Sequence, residues 1–281
     1  MRGIDGLIFD VDGVLLDVSN SYFPMMQEVL RIFSEKFPDH DPSSETFSPE
    51  HLRAVKQHPA FNDDYDIPWA FLAFWHHCLR EGMGTLPEVS LWKGALHACP
   101  PEPQHALEWI RTQWGEAVPR EHVRQLCDRL YFGEAYSRVR PQASEAGLGK
   151  GFWREERALV HRSWKSLPLP CAIYTGRPRS ELDLVLEQLG WTDFPRHHTV
   201  TLDDGILKPS PRGLSLLAQR LGASHPLYFG DAESDLLAYR AFGQGGFVAV
   251  GNVLTAWRPR YQRTDDALQD ILSFFPNLQQ E

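Results

Sequence analysis

Five short apolar runs lie near the two ends of the chain, and each stops at or just before a polar or turn-forming residue. They are Gly6 to Asp10, Cys171 to Thr175, His198 to Thr201, Leu227 to Phe229 and Gly246 to Val250. A strand with water on one face alternates apolar and polar residues. A continuous apolar run bounded by turns instead fits a strand covered on both faces, as in a parallel sheet. The segments between the runs carry helical periodicity. Leu182, Val185, Leu186 and Leu189 recur at i, i+3, i+4 and i+7, with Ser180 as N-cap, Asp183 completing a capping box and Gly190 as the stop. Leu214, Leu217, Ala218 and Leu221 repeat the stripe between Ser210-Pro211 and Gly222, and Ser234 opens a third helix running to about Phe242. Strand–helix alternation over 170–250 predicts an α/β fold, a doubly wound, mostly parallel, Rossmann-like sheet.

Residues 16–150 show no such alternation and read as helices broken by proline-rich loops such as Cys99-Pro-Pro-Glu-Pro103. Trp69, Phe71, Leu72 and Trp75 form an aromatic helix face suited to a core. The predicted organisation is an α/β core domain over 1–15 and 151–281, with an all-α domain inserted over 16–150. Two domains agree with 281 residues at ~150 per domain. Gly147-Leu-Gly-Lys-Gly151 reads as a hinge and lacks the GxxxxGK[ST] spacing of a phosphate loop.

Charge and composition exclude several functions. Lys and Arg total 28 against 37 Asp and Glu, a net charge of −9, which argues against a nucleic-acid or anionic-membrane partner. The longest apolar run, Ile67 to Trp75, falls well short of the ~20 residues of a membrane-spanning helix. Asp5 and Asp10 interrupt the N-terminus where a signal peptide needs an apolar stretch. Cys78, Cys99, Cys127 and Cys171 are too widely spaced for a CxxC pair or a disulfide framework, so reduced thiols and a cytoplasmic location are expected. The adjacent pairs His76-His77 and His197-His198 offer no zinc spacing.

The chemistry gathers at the run ends. Asp10 and Asp12 close the first run, and Gly13 permits a turn after them. Ligands of open α/β sheets bind at the carboxyl ends of the strands. Acids ending a buried strand must bind a cation, share a proton or reach water, and a solvated D-x-D-G turn is the plain alternative. The second run ends in Thr175-Gly176-Arg177, where a hydroxyl and a glycine ahead of a helix can hold a phosphate oxygen. Arg177 could hold a second anionic group or form a surface salt bridge. The fourth run leads into Gly230-Asp231, and Asp235 follows four residues on, able to face the same site or to favour the helix N-terminus. Lys208 precedes Pro209 in the loop between the third and fourth runs.

Taken in order, Asp10-Val-Asp12-Gly13-Val-Leu15, Thr175-Gly176-Arg177, Lys208-Pro209 and Gly230-Asp231-Ala-Glu-Ser-Asp235 resemble the four motifs of the haloacid dehalogenase (HAD) superfamily. The resemblance covers the two flanks, and the position of the insertion is similar to the helical C1 cap of subfamily I. It implies Asp10 as nucleophile forming an aspartyl-phosphate, and Asp12 as general acid/base. It implies Mg2+ held by Asp10, the main-chain carbonyl of Asp12 and Asp231, with Asp235 as ligand or support. Thr175, Gly176 and Lys208 would bind the transferring phosphoryl group. Asp12 separates the subclasses. A departing halide needs no proton, whereas the alkoxide of a C–O–P linkage does, so the resemblance points to a phosphatase rather than a dehalogenase. A phosphomutase, which uses both acids, and a non-catalytic protein binding a phosphorylated ligand or partner are the alternatives. The expected substrate is a small phosphorylated metabolite, and the chain is expected to be a monomer or homodimer. Within the insertion, Asn62, Asp63 and Asp64 are candidates for meeting a substrate amine or hydroxyl, while Asp66 could cap the aromatic helix with Pro68 in its first turn.

Overall fold

The computed structural model describes residues 3–37, 47–61, 63–83 and 86–273. In chain order the elements begin with β1 (Gly6–Phe9) and β2 (Leu16–Asp17). Seven helices follow: α1 (Tyr22–Ser34), α2 (Pro49–Lys56), α3 (Asp66–Arg80), α4 (Val89–Ala98), α5 (Pro103–Gln113), α6 (Arg120–Phe132) and α7 (Tyr136–Val139). Then come β3 (Arg157–Ala158), β4 (Cys171–Tyr174), α8 (Arg179–Gln188), β5 (Thr199–Val200) and α9 (Arg212–Leu221). The chain closes with β6 (Pro226–Gly230), α10 (Glu233–Phe242), β7 (Gly246–Val250), β8 (Arg260–Tyr261) and α11 (Thr264–Ser273). Two compact units result: Met1–Val18 with Glu156–Glu281, and Ser19–Glu155.

The first unit is an α/β fold around a six-stranded sheet of order β5-β4-β1-β6-β7-β8, parallel throughout. Side chains alternate between two cores, one per face. Leu7, Phe9, Ile173, Leu227 and Phe229 enter one; Ile8, Ala172, Tyr174 and Tyr228 enter the other. Burial on both faces is why these strands read as unbroken apolar runs. Register then sets the chemistry. Phe9 pairs with Ile173 on one side and with Phe229 on the other. Asp10, Thr175 and Asp231 therefore emerge together at the carboxyl edge of three adjacent strands, where the strand order reverses.

Three features depart from the sequence reading. The sheet gains a sixth strand, β8, whose Arg260 and Tyr261 carry no apolar pattern because they form an edge. The unit boundaries fall at 18/19 and 155/156 rather than 15/16 and 150/151, because β2 and β3 pair as an antiparallel ribbon within the sheet unit. The helix starts also differ. Ser180 and Ser234 lie inside α8 and α10, whose N-caps are Pro178 and Ala232. The first main-chain N–H of α8 donates instead to Asp203 Oδ2 at 2.7 Å, a tertiary partner in place of a local cap. Ser210 stands one residue before the N-cap Pro211, and its hydroxyl accepts from the Arg212 N–H at 3.3 Å.

Among the described residues, the second unit holds helices and no strand. Helix α3 packs against α1, α5 and α6, so Ile67 through Trp75 is buried all round rather than on one aromatic face. Phe71 meets Trp92 edge-on at 5.3 Å, Phe74 lies 4.9 Å from Trp114, and Phe47 lies 4.8 Å from Phe71. The glycine segment expected as a hinge is a packing joint. A Cβ on Gly147 would stand 1.8 Å from the Gly133 carbonyl oxygen, and one on Gly151 would stand 2.6 Å from the Phe132 carbonyl oxygen. Glycine lets this backbone lie against the end of α6. All four cysteines are free and buried, and no helix among the described residues is long and apolar enough to cross a membrane.

Candidate active site

The residues after β1 fold back at once. The Val11 carbonyl accepts from the N–H groups of Val14, Leu15 and Leu16 at 3.2, 2.8 and 3.0 Å, and Gly13 N–H donates to the Leu16 carbonyl at 2.8 Å. Val11, Val14 and Leu15 are fully buried, and the Thr264 hydroxyl donates to the Val14 carbonyl at 2.5 Å. This anchored turn needs Gly13 at φ +71°, and a Cβ there would lie 2.3 Å from Asp231 Oδ2. The glycine therefore serves both as the turn residue and as the space in which Asp231 sits.

Asp10, Asp231 and Asp235 each place a carboxylate oxygen within 4.8 Å of the others. Lys208 joins them, its Nζ 2.5 Å from Asp10 Oδ1 and 2.7 Å from Asp235 Oδ1. The cluster is strongly polarised. Burial pushes the Asp10 carboxyl up to about 7; Lys208 opposes the rise, while Asp235 and Asp12 add to it. Burial also holds Asp231 well above the usual carboxylate range, reinforced by Asp235 and Asp10. Burial works against the Lys208 ammonium, but Asp10 and Asp235 overcome it and hold its pKa above the ordinary lysine value. Lys208 also lies 5.4 Å from the Tyr174 ring centroid and 6.0 Å from that of Tyr228.

The donor set suits a hard divalent cation. Fully ionised, the three carboxylates against one ammonium would leave two negative charges in a largely buried space, all on oxygen ligands. The three acids differ in role. Asp235 is fully buried, and its two oxygens accept from Lys208, from the Tyr228 hydroxyl and from the main-chain N–H groups of Asp231 and Ala232 at 3.3 and 3.1 Å. Its lone pairs are thus taken, and it holds Lys208 and the turn after β6 in place. Asp10 and Asp231 keep the capacity to ligate. The Asp12 carboxylate is not among the clustered acids, so any part it takes in ligation would run through its main-chain carbonyl.

Thr175 is buried, and its Oγ1 accepts from the Arg177 N–H at 3.1 Å, which leaves its own O–H to donate. Arg177 is neither a surface salt bridge nor a free anion subsite. Its guanidinium is buried and bound to Asp12 and to Glu156. Glu156 carries no periodic or motif signal in the sequence, and neither does the Tyr228 hydroxyl. Both become visible only through the pairing of distant segments.

The candidates in the helical unit fare differently. Asn62 lies outside the described residues. Asp63 accepts from the Tyr65 N–H at 3.0 Å and pairs with Arg124 at 2.8 Å; Asp64 pairs with Lys56 at 2.5 Å. Both carboxylates are thus engaged in ion pairs within their own unit. Asp66 is the first residue of α3, not its cap, and takes Arg120 through both oxygens at 2.7 and 2.9 Å, with Arg124 at 2.9 Å.

The sequence profile of the haloacid dehalogenase-like hydrolases matches residues 4–243. No curated protein matches the chain. Among solved structures, phosphatase Tt82 from Thermococcus thioreducens has a similar fold, with TM-score 0.69 and 24% identity over 95% of this chain and 99% of that one. A Haemophilus somnus protein described as a predicted phosphoglycolate phosphatase aligns with TM-score 0.55 and 13% identity, over 96% and 99% of the two chains. A hydrolase of the same family from Deinococcus radiodurans, solved with bound phosphate and sodium, aligns with TM-score 0.53 and 17% identity, over 97% and 96%.

Proposed function

The chain belongs to the haloacid dehalogenase-like hydrolase family, and from that premise we propose that it hydrolyses the phosphomonoester of a small metabolite in a Mg2+-dependent reaction through an aspartyl-phosphate on Asp10. The observation that carries this reading is the juxtaposition of Asp10, Asp231 and Lys208 at one strand edge, with Asp12 on the adjoining turn. A dehalogenase has no use for the second acid, because halide leaves without a proton.

Asp10, the main-chain carbonyl of Asp12, and Asp231 would hold Mg2+, with Asp235 supporting from behind. Bound there, the ion would offset the repulsion between a carboxylate nucleophile and a phosphate dianion. The protein's own groups do the rest. A carboxylate oxygen of Asp10 attacks phosphorus as the bond to the alkoxide oxygen breaks. Asp12 gives its proton to that oxygen, so an alcohol departs. Asp12, now ionised, takes a proton from water as the water oxygen attacks phosphorus and the Asp10–phosphorus bond breaks, releasing inorganic phosphate. The Thr175 hydroxyl and the Lys208 ammonium face the oxygens on which charge accumulates.

The experiment is phosphate release from a panel of phosphorylated metabolites, with Mg2+ and with EDTA, beside Asp10→Asn. Turnover that needs both the ion and Asp10 supports the reading and ranks the substrates. Full activity in Asp10→Asn overturns it.

A further inference from the structure

We infer that Arg177 and Glu156 form a buried mount that fixes the Asp12 carboxylate for proton transfer, which makes them positioning residues of the proposed phosphatase; the inference rests on Asp12 being its acid/base. Arg177 grips one oxygen of Asp12 twice. Its Nε is 2.8 Å and its Nη2 2.6 Å from Oδ1. The same Nη2 donates to Glu156 Oε1 at 3.0 Å. The side chains of Arg177 and Glu156 are 3% and 1% exposed, while that of Asp12 is 37% exposed. The arrangement has a buried base and a reachable end.

Every part of the base is itself held. The Arg177 N–H donates to Thr175 Oγ1 at 3.1 Å, and its carbonyl accepts from the Leu202 N–H at 3.0 Å. The Glu156 carbonyl accepts from Gln188 Nε2 at 3.0 Å. Glu156 also precedes β3, whose pairing with β2 joins Leu16 to Ala158 and Asp17 to Arg157. The turn bearing Asp12 is thereby tied to Glu156 twice, through the ribbon and through Arg177.

Stability alone does not account for this network. Burying a guanidinium and a carboxylate costs desolvation that their attraction roughly returns, and apolar residues of the same volume stabilise as well or better. What the ion pair adds is geometry. The planar fork sets the direction of the Asp12 carboxylate, and both contacts fall on Oδ1. Among the described residues Oδ2 accepts no hydrogen bond, so it is free to carry the proton. Glu156 also matches the charge of Arg177, so the mount holds Asp12 without adding net charge beside it. A Lys at 177 would bring one point charge and lose the fork.

The test uses the full chain with Mg2+ and follows alcohol release in the first turnover, across alkyl and aryl phosphates graded by leaving-group acidity. Wild type should depend weakly on the leaving group. Arg177→Gln should lose about 10²-fold on an alkyl phosphate, the scale of a general acid's contribution, and keep most of its rate on 2,4-dinitrophenyl phosphate, whose leaving group needs no proton. The plot against leaving-group acidity then steepens. Arg177→Lys should restore part of the rate on the alkyl ester. Arg177→Gln removes a cationic partner of the buried Glu156, so Arg177→Met combined with Glu156→Leu provides a charge-free version; its thermal midpoint should return towards wild type while the steep dependence persists. Equal loss across the series, or a folded double variant with wild-type dependence, overturns the inference. If wild-type release does not require Asp10, the phosphatase reading fails first, an outcome distinct from a working phosphatase with an unchanged slope.

Discussion

The raised Asp10 carboxyl makes a prediction about stability that is independent of turnover. In the unfolded chain this group titrates near 3.8, whereas in the fold burial and its acidic neighbours move it to about 7. The folded protein therefore binds the Asp10 proton more tightly, and stability contributed by that proton is lost as pH rises from ~4 through ~7. At ~1.4 kcal/mol per pH unit, that window amounts to roughly 4 kcal/mol. For a chain of this size ~1 kcal/mol moves the midpoint by about 2 °C, so the expected effect is about 8 °C. The perturbation is Asp10→Asn, which keeps the shape and removes the ionisation. In EDTA the two proteins should melt together near pH ~4, and the variant should melt about 8 °C higher near pH ~8. Excess Mg2+ should narrow the gap at the higher pH, since the ion binds the ionised carboxylates and stabilises the folded state by about 2.7 kcal/mol at a hundred times its Kd. Scanning fluorimetry across pH, with each metal condition, reads both effects. Parallel melting curves for the two proteins from pH ~5 to ~8 in EDTA would refute the electrostatic argument.

Three further outcomes follow from the geometry. Asp12→Asn should still accept a phosphoryl group from an activated ester but fail to release it, so mass spectrometry should find one phosphoryl group retained on the peptide containing Asp10; an unmodified peptide and unchanged turnover would remove Asp12 from the chemistry. Gly13→Ala places a methyl where Asp231 Oδ2 stands at 2.3 Å, on a backbone at φ +71°, and should weaken Mg2+ binding by about 10–100-fold in calorimetric titration. Asp66→Asn removes a partner shared by Arg120 and Arg124 and should cost about 3 kcal/mol in denaturant unfolding, while Asp63→Ala and Asp64→Ala should cost under ~1 kcal/mol each and leave KM unchanged.

Particular residues show what the chain alone made legible. Ile8, Ile173 and Phe229 sit in runs buried on both faces, so local composition reports a parallel sheet directly. The stripes ending at Gly190 and Gly222 report helices because the apolar faces repeat at the helical period. Asp10, Thr175 and Asp231 could be picked out because polar residues ending such runs are costly unless they do chemistry. Burial and periodicity are properties of a segment, so a segment suffices to reveal them.

What Arg177, Glu156 and Asp235 do was decided by tertiary structure. Arg177 reaches Asp12 across 165 positions only because β1 and β4 lie side by side in a register that levels Phe9 with Ile173. Glu156 meets that guanidinium because the β2–β3 ribbon brings the returning chain back to the turn after β1. Asp235 is turned from a possible ligand into a brace by Tyr228, Lys208 and two main-chain N–H groups. A side chain's type limits which bonds it can make. Which of them it makes depends on partners within about 3 Å, and those distances are set by strand register and packing rather than by spacing along the chain.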